Sequence, residues 1–262
     1  MNVMHRFCMR ACAVATAGVA LGTWGVTAAS ASGGASATIH HGALRFANND
    51  HAFGLSTAGV TSTRTFAGYQ TTVPTGSATV MTGSFAVPTL SCTTAQRFIA
   101  PSAGVLVNNF RSASVSFVFV GCANGAAVFF PGLVVNGKAK SFSSSPFAAG
   151  DVIDLTTKVS TNRTRVQVTD VTTGVTQKII GSGARASAAF FGDDAAFTNS
   201  GKLLHVPDFG KLKFRNCLID GKTLAHWRPR AFQRVNSRGT VQIGIGTLSS
   251  SGLAFATRFE HS

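Results

Sequence analysis

From residue 65 to residue 259 the chain alternates short runs rich in Val, Thr and Phe with turn residues. The runs cover 65–73, 78–87, 114–120, 126–135, 138–142, 152–159, 164–171, 176–180, 186–191, 211–217, 240–245 and 253–259. Turns about every ten residues, with no window of helical period, commit a chain to an antiparallel sandwich or barrel. Residues 114–120 alternate Val and Phe with Ser, the period of a half-buried strand. Residues 126–135 are almost continuously apolar, which suits a central strand, and Pro131-Gly132 inside them marks a bulge or an edge. Asn136-Gly137 and Thr172-Thr173-Gly174 are hairpin turns.

One domain of this kind can be filled from the apolar material present. Hydrophobic residues make up 45% of the 262 and charged residues 12%, a balance that favours a core over disorder. The first residues read differently. Arg6 and Arg10 precede an Ala-rich apolar stretch over 11–29, and Ala29-Ser30-Ala31 has the form of a leader cleavage site. Residues 1–31 are therefore expected to be a signal peptide, and the protein secreted and extracellular. Residues 32–61 lack periodicity and read as a linker or pro-segment, leaving 62–262 as the β-sandwich domain. No later segment has the ~20 apolar residues that span a bilayer, so the mature chain is expected to have no transmembrane segment and to be a monomer.

Charge and cysteines narrow the chemistry. The net charge is +14, an excess that attracts polyanions or simply keeps a secreted protein soluble. Glu260 is the one glutamate, and the aspartates are Asp50, Asp151, Asp154, Asp170, Asp193, Asp194, Asp208 and Asp220. Any carboxylate chemistry must come from these. Without the leader the cysteines are Cys92, Cys122 and Cys217. An oxidising compartment predicts one disulfide and one leftover thiol, and Cys92 with Cys122, in the same half of the domain, is the first choice.

Four segments together resemble one family. Phe66-Ala67-Gly68-Tyr69 is similar to the W-A-G-Y motif of the glutamic peptidases, or eqolisins. Residues 83–92, containing Phe85-Ala86-Val87-Pro88-Thr89, resemble the strand that follows it there. Gly150-Asp151-Val152-Ile153 with Val171-Thr172-Thr173-Gly174 resembles the family's G-D-x-I … T-T-G hairpin. Residues 188–194, then Pro207-Asp208-Phe209-Gly210, resemble A-E-W-I-V-E-D followed by A-D-F-G. Order and spacing agree over about residues 65–216. The resemblance implies an all-β, concanavalin-A-like antiparallel β-sandwich.

It also implies where a catalytic pair would stand. The family uses a Glu as general base and a Gln whose amide stabilises the oxyanion, facing each other from one sheet. Matched motif by motif, the Glu position falls on Ala189, the Trp after it on Phe190, the Gln on Phe130 and a cleft-lining Trp on Phe119. An alanine methyl takes no proton and a phenyl ring donates no hydrogen bond, and residues 100–160 contain no Gln. The resemblance thus implies a cleft of Phe119, Phe130, Ala189, Phe190, Asp193 and Asp194 without catalytic residues.

Other groups add less. Asp193-Asp194 reads as a cleft-rim contact or a strand-end turn. No Cys or His spacing resembles a zinc site and no Ser sits in a nucleophile elbow, so neither metal nor cofactor is expected. Residues 222–238 mix cations with aromatics, and Lys222, Trp227, Arg228, Arg230 and Arg234 form a candidate anion contact; the alternative is a solvated loop whose Trp plugs a sandwich end. The functional expectation is a secreted, non-catalytic binding or structural module for an extracellular peptide, glycan or polyanionic cell-surface ligand. The alternatives are an acid-acting glutamic endopeptidase and a polyanion or cell-wall binding protein.

Overall fold

The runs become strands. The structure is a computed structural model that describes residues 59–141, 147–198 and 202–261 and the short strands at 26–27 and 36–38. In chain order these are β1 Val26–Thr27, β2 Ser36–Thr38, β3 Val60–Thr63, β4 Phe66–Thr72, β5 Thr79–Ala86, β6 Arg97–Val107, β7 Ser112–Ala123, β8 Ala126–Val135, β9 Lys138–Ser141 and β10 Val152–Val159. They continue as β11 Arg163–Asp170, β12 Thr176–Ser182, β13 Ala186–Ala195, β14 Phe197–Thr198, β15 Lys211–Ile219, β16 Lys222–Thr223, β17 Arg230–Val235, β18 Val241–Ile245 and β19 Phe255–Phe259. The expected leader lies outside the described residues apart from β1. Part of the expected linker, β2, pairs with β14.

Two sheets face each other. An upper layer runs β12-β11-β10-β5-β15 and a lower layer runs β17-β4-β13-β6-β7-β8-β9, joined along one side through β19 and β18. Neighbours in both layers are antiparallel, and β3 runs parallel to β17. The tight hairpins follow from turn chemistry. Asn124-Gly125 and Asn136-Gly137 hold φ of 52°, 81°, 49° and 80°, and two successive positive φ values make the type I′ turn whose twist matches the strands.

Two strands contain a proline, β6, which the sequence reading lacked, and β8, which it placed at 126–135. β6, eleven residues long, passes through Pro101-Ser102-Ala103-Gly104, which has the composition of a turn. The ladder to β7 steps from Ile99 to Ser102, so the missing proline N–H costs that ladder nothing. Pro131 sits inside β8, just past Gly132, the last residue paired with β9 among the described residues, a place of the kind a proline tolerates.

The lower sheet is buried on both faces. The inner face meets the upper layer through Val105, Val118, Val120, Leu133 and Phe191, packed against Met81, Phe85, Ile153, Leu155, Val166 and Phe214. The far face carries a second cluster, with Phe66, Phe98, Phe117, Phe119, Phe130 and Phe190. Each such side chain contributes roughly 1.5–3 kcal/mol on burial. Cys92 is bonded to Cys122, the pairing the sequence favoured, and Cys217 is a free, buried thiol.

Candidate functional site

Strand parity decides which residues share a face. On β7, Phe117 and Phe119 point to the far face while Val118 and Val120 point inward; on β8, Phe130 and Val134 are far and Phe129 and Leu133 inner. Phe119 stands opposite Phe130 with ring centroids 4.8 Å apart, and Phe98 packs on both at 6.3 and 6.2 Å. Phe190 joins the same face, edge-on to Phe66 at 5.8 Å.

Ala189 does not join it. Its side chain belongs to the inner cluster, while Ala188 and Phe190 belong to the far one. The pair matched by motif, Ala189 and Phe130, therefore lies on opposite faces of one sheet. Pairing of β13 with β6 is irregular between Ala186 and Ala188, and one residue of slip exchanges faces in a strand. The far-face positions beside the expected site are Ala188 and Phe190, and neither titrates.

The far face is built from phenylalanines laid over glycines. Phe190 is opposite Gly104, Phe98 opposite Gly121 and Phe117 opposite Gly132. A Cβ on these glycines would come within 2.3, 2.2 and 2.0 Å of the facing ring. The rings occupy the volume that side chains at those positions would need, which leaves the middle of the face without room for a polar constellation.

Polar groups gather at one end. Asp193 and Asp194 stand late in β13 and are 0% and 1% exposed. They are thus neither in a turn nor at a solvent rim, as the sequence had suggested. Asp194 accepts a 2.7 Å hydrogen bond from Ser102 Oγ, which also donates to the Gly192 carbonyl at 3.0 Å. Arg234 on β17 is 0% exposed and donates through Nη2 to the Leu204 carbonyl at 3.1 Å. Its Nε and Nη1, both Asp193 oxygens and Asp194 Oδ1 have no hydrogen-bond partner.

Burial dominates the acid–base behaviour of this group. It pushes the Asp193 carboxyl up to about 7, against the pull of the Thr257 hydroxyl and the Arg234 charge. The Thr257 hydroxyl lies near without making a bond, since its oxygen is also unpartnered. Burial likewise pushes Asp194 up to about 8, with Ser102 and Arg234 opposing and Asp193 adding to the rise. Burial lowers Arg234 to about 10, against both carboxylates. Gln70 was missed in the sequence. It lies opposite Phe190, and by strand alternation from Phe66 its side chain is on the far face, with Oε1 buried and unpartnered.

The candidate anion contact does not form one surface. Residues 222–235 are mostly β16, a 3-10 turn Leu224–Trp227 and β17 rather than a loop. Trp227 packs on the inner core and donates from Nε1 to the Ile219 carbonyl at 3.1 Å, while its own carbonyl accepts from Thr71 Oγ1 at 2.8 Å. Arg234 is inside, and Lys222, Arg228 and Arg230 remain exposed. Among the described residues no group of three His, Cys, Asp or Glu could hold a metal ion, and no helix is long and apolar enough to cross a membrane.

Comparison with known proteins fits this architecture. The profile of the Peptidase A4 family matches residues 64–243. Scytalido-glutamic peptidase, solved with a transition state analog inhibitor, superposes with a TM-score of 0.59 at 13% identity, over 75% of this chain and 98% of that one. SCP-B, an eqolisin solved with the tripeptide Ala-Ile-His, gives 0.58 at 14% identity, over 75% of this chain and 98% of that one. Aspergilloglutamic peptidase from Aspergillus niger gives 0.52 at 17% identity, over 63% of this chain and 99% of that one. No curated protein sequence matches the chain.

Proposed function

Because the chain belongs to the Peptidase A4 family, the glutamic peptidases or eqolisins, we propose that it is a secreted member that no longer hydrolyses peptides and acts as an extracellular binding or structural module. The observation that carries this reading is the packed Phe119–Phe130 ring pair, tilted at 44°, on a face whose β13 positions are Ala188 and Phe190. A general base must titrate and reach a water within hydrogen-bonding distance. The carboxylate on that face, Asp194, is 1% exposed and already bonded to Ser102. The export part of the reading rests on the leader-like residues 1–31.

The direct test is hydrolysis of denatured casein by the purified chain lacking residues 1–31, from about pH 2 to 7, beside an active glutamic peptidase. The expected result is no turnover at any pH. Turnover that disappears in Asp194→Asn would replace this reading with an acid-acting endopeptidase. The specific observation on that side is the placing of Asp194 and Gln70 on one face, both with unpartnered oxygens.

A further inference from the structure

The upper sheet turns its other face to solvent, on the side of the molecule opposite the phenylalanine face. Outward positions there are 152, 154, 156 and 158 on β10, 163, 165, 167 and 169 on β11, and 176, 178, 180 and 182 on β12. Exposed cations are Lys158, Arg163 and Arg165 at one end and Lys178 near the middle. Lys158 stands directly opposite Arg165, and Lys178 opposite Gln167. Gln167 takes a hydrogen bond from Arg165. Around the sheet edge, Lys138 and Lys140 line a groove with Ile179, Ile180 and Ser182.

Acidic groups stand at the other end of the same hairpins. Asp154 faces Ser84 and Thr169. Asp170 is buried and caps its own turn by accepting from Thr172 and Thr173, and Asp151 accepts from the Ala148 amide. Lys158 is four residues from Asp154, about 13 Å along the strand. Like charges set directly opposite across two strands, about 5 Å apart, are destabilising by themselves. An anionic ligand lying over both removes that repulsion.

We propose that this end of the upper sheet binds an anionic polysaccharide, laid across β10–β12 with its sulfate or carboxylate groups on Lys158, Arg165 and Lys178. Thr156, the next outward position to Lys158 on β10, and Ser182, opposite Arg163, offer hydroxyls to sugar hydroxyls. The outward positions of β10, β11 and β12 carry no aromatic side chain. Single-stranded nucleic acids are held largely by stacking on such rings, so the same cations favour a polysaccharide over a nucleic acid. The site is separate from the phenylalanine face and does not depend on whether peptidase activity remains.

Heparin serves as the probe, titrated by calorimetry into the chain lacking residues 1–31 at about 0.1 M salt, where surface charges act over about 10 Å. The triple variant Lys158→Gln/Arg165→Gln/Lys178→Gln is expected to bind heparin at least about tenfold more weakly, and its salt slope to fall by about two to three. Lys211→Gln/Lys213→Gln/Arg258→Gln removes the same charge from exposed positions on β15 and β19 and is expected to stay within about twofold of the parent. If the triple variant unfolds, Arg165→Gln alone is read, with a loss of about threefold. Equal losses in both triple variants would mean that net charge alone holds the ligand, and would overturn the assignment. So would a parent that does not bind heparin, or one that binds a single-stranded oligonucleotide of equal charge as tightly.

Discussion

The two faces of the lower sheet are both buried, yet they are built differently. The inner face is a mixed aliphatic packing of Val, Leu, Ile, Ala and Met with a few rings, matched against a second sheet. The far face is dominated by phenylalanine, with three rings laid over glycines on the neighbouring strand. The inner face joins the layers through one neutral contact, Ser116 and Thr157 on the Ala103 carbonyl, while the β13 end of the sheet holds two carboxyls and a guanidinium with unpartnered atoms, Asp194 on the far side and Asp193 on the inner one by strand alternation. The inner face is what any sandwich requires. The far face is where the proposal of a chain without a catalytic pair rests.

The largest effects should come from removing rings. Phe191→Ala on the inner face and Phe119→Ala on the far face, 0% and 2% exposed, should each cost about 3–5 kcal/mol in chemical denaturation. A far-face loss below about 1 kcal/mol would show that the phenylalanines line an open cleft rather than a second core. Next in size is Gly132→Ala, whose added methyl meets the Phe117 ring at 2.0 Å. Overpacking of this kind costs about 1–3 kcal/mol. Phe117→Ala in the same chain should recover part of the loss, and a strictly additive pair would break the ring-over-glycine account.

The charged end predicts a pH dependence that the aliphatic face lacks. Asp193 and Asp194 are raised to about 7 and about 8 from an ordinary 3.8, so the folded state holds protons that the unfolded chain has released. Their contribution is most favourable below about pH 4 and is lost progressively as pH rises to about 8. The thermal midpoint should therefore fall between pH 5 and pH 8.5. Asp194→Asn should flatten that slope, and a midpoint that rises over this window would refute the assignment.

How much of this was legible beforehand follows from what each strand shows its neighbours. Strands with one solvated face, such as β10 and β11, alternate visibly, and their bounds were read to within a residue. β8 and β13 are buried on both sides and read as continuous apolar runs, which conceals parity. That is why the motif match alone could not show that Ala189 and Phe130 lie on opposite faces. β6 was invisible because Pro101, Ser102 and Gly104 resemble a turn. In the fold their small size admits the Phe190 ring and the Ser102–Asp194 bond. Arg234 was counted among surface cations because nothing in its local sequence reveals the carboxyls that burial brings to it. The disulfide was legible because three cysteines leave few choices.

The smallest effect sharpens the comparison most. On the inner face, Ser116 from the lower sheet and Thr157 from the upper one both donate toward the Ala103 carbonyl, at 3.1 and 2.9 Å, and lie 3.1 Å from each other. All three groups are neutral, so no proton is taken up or released when they form. Thr157→Val keeps the branched shape and removes one hydroxyl. It should cost about 1 kcal/mol, because the Ala103 carbonyl keeps Ser116 as a donor and no buried acceptor is left bare. That cost should be the same at pH 5 and pH 8.5, in contrast to Asp194→Asn, whose effect must change across the window. A pH-dependent loss in Thr157→Val would mean that the buried carboxyls are coupled to the inner core, and the two faces would then have to be treated as one electrostatic unit.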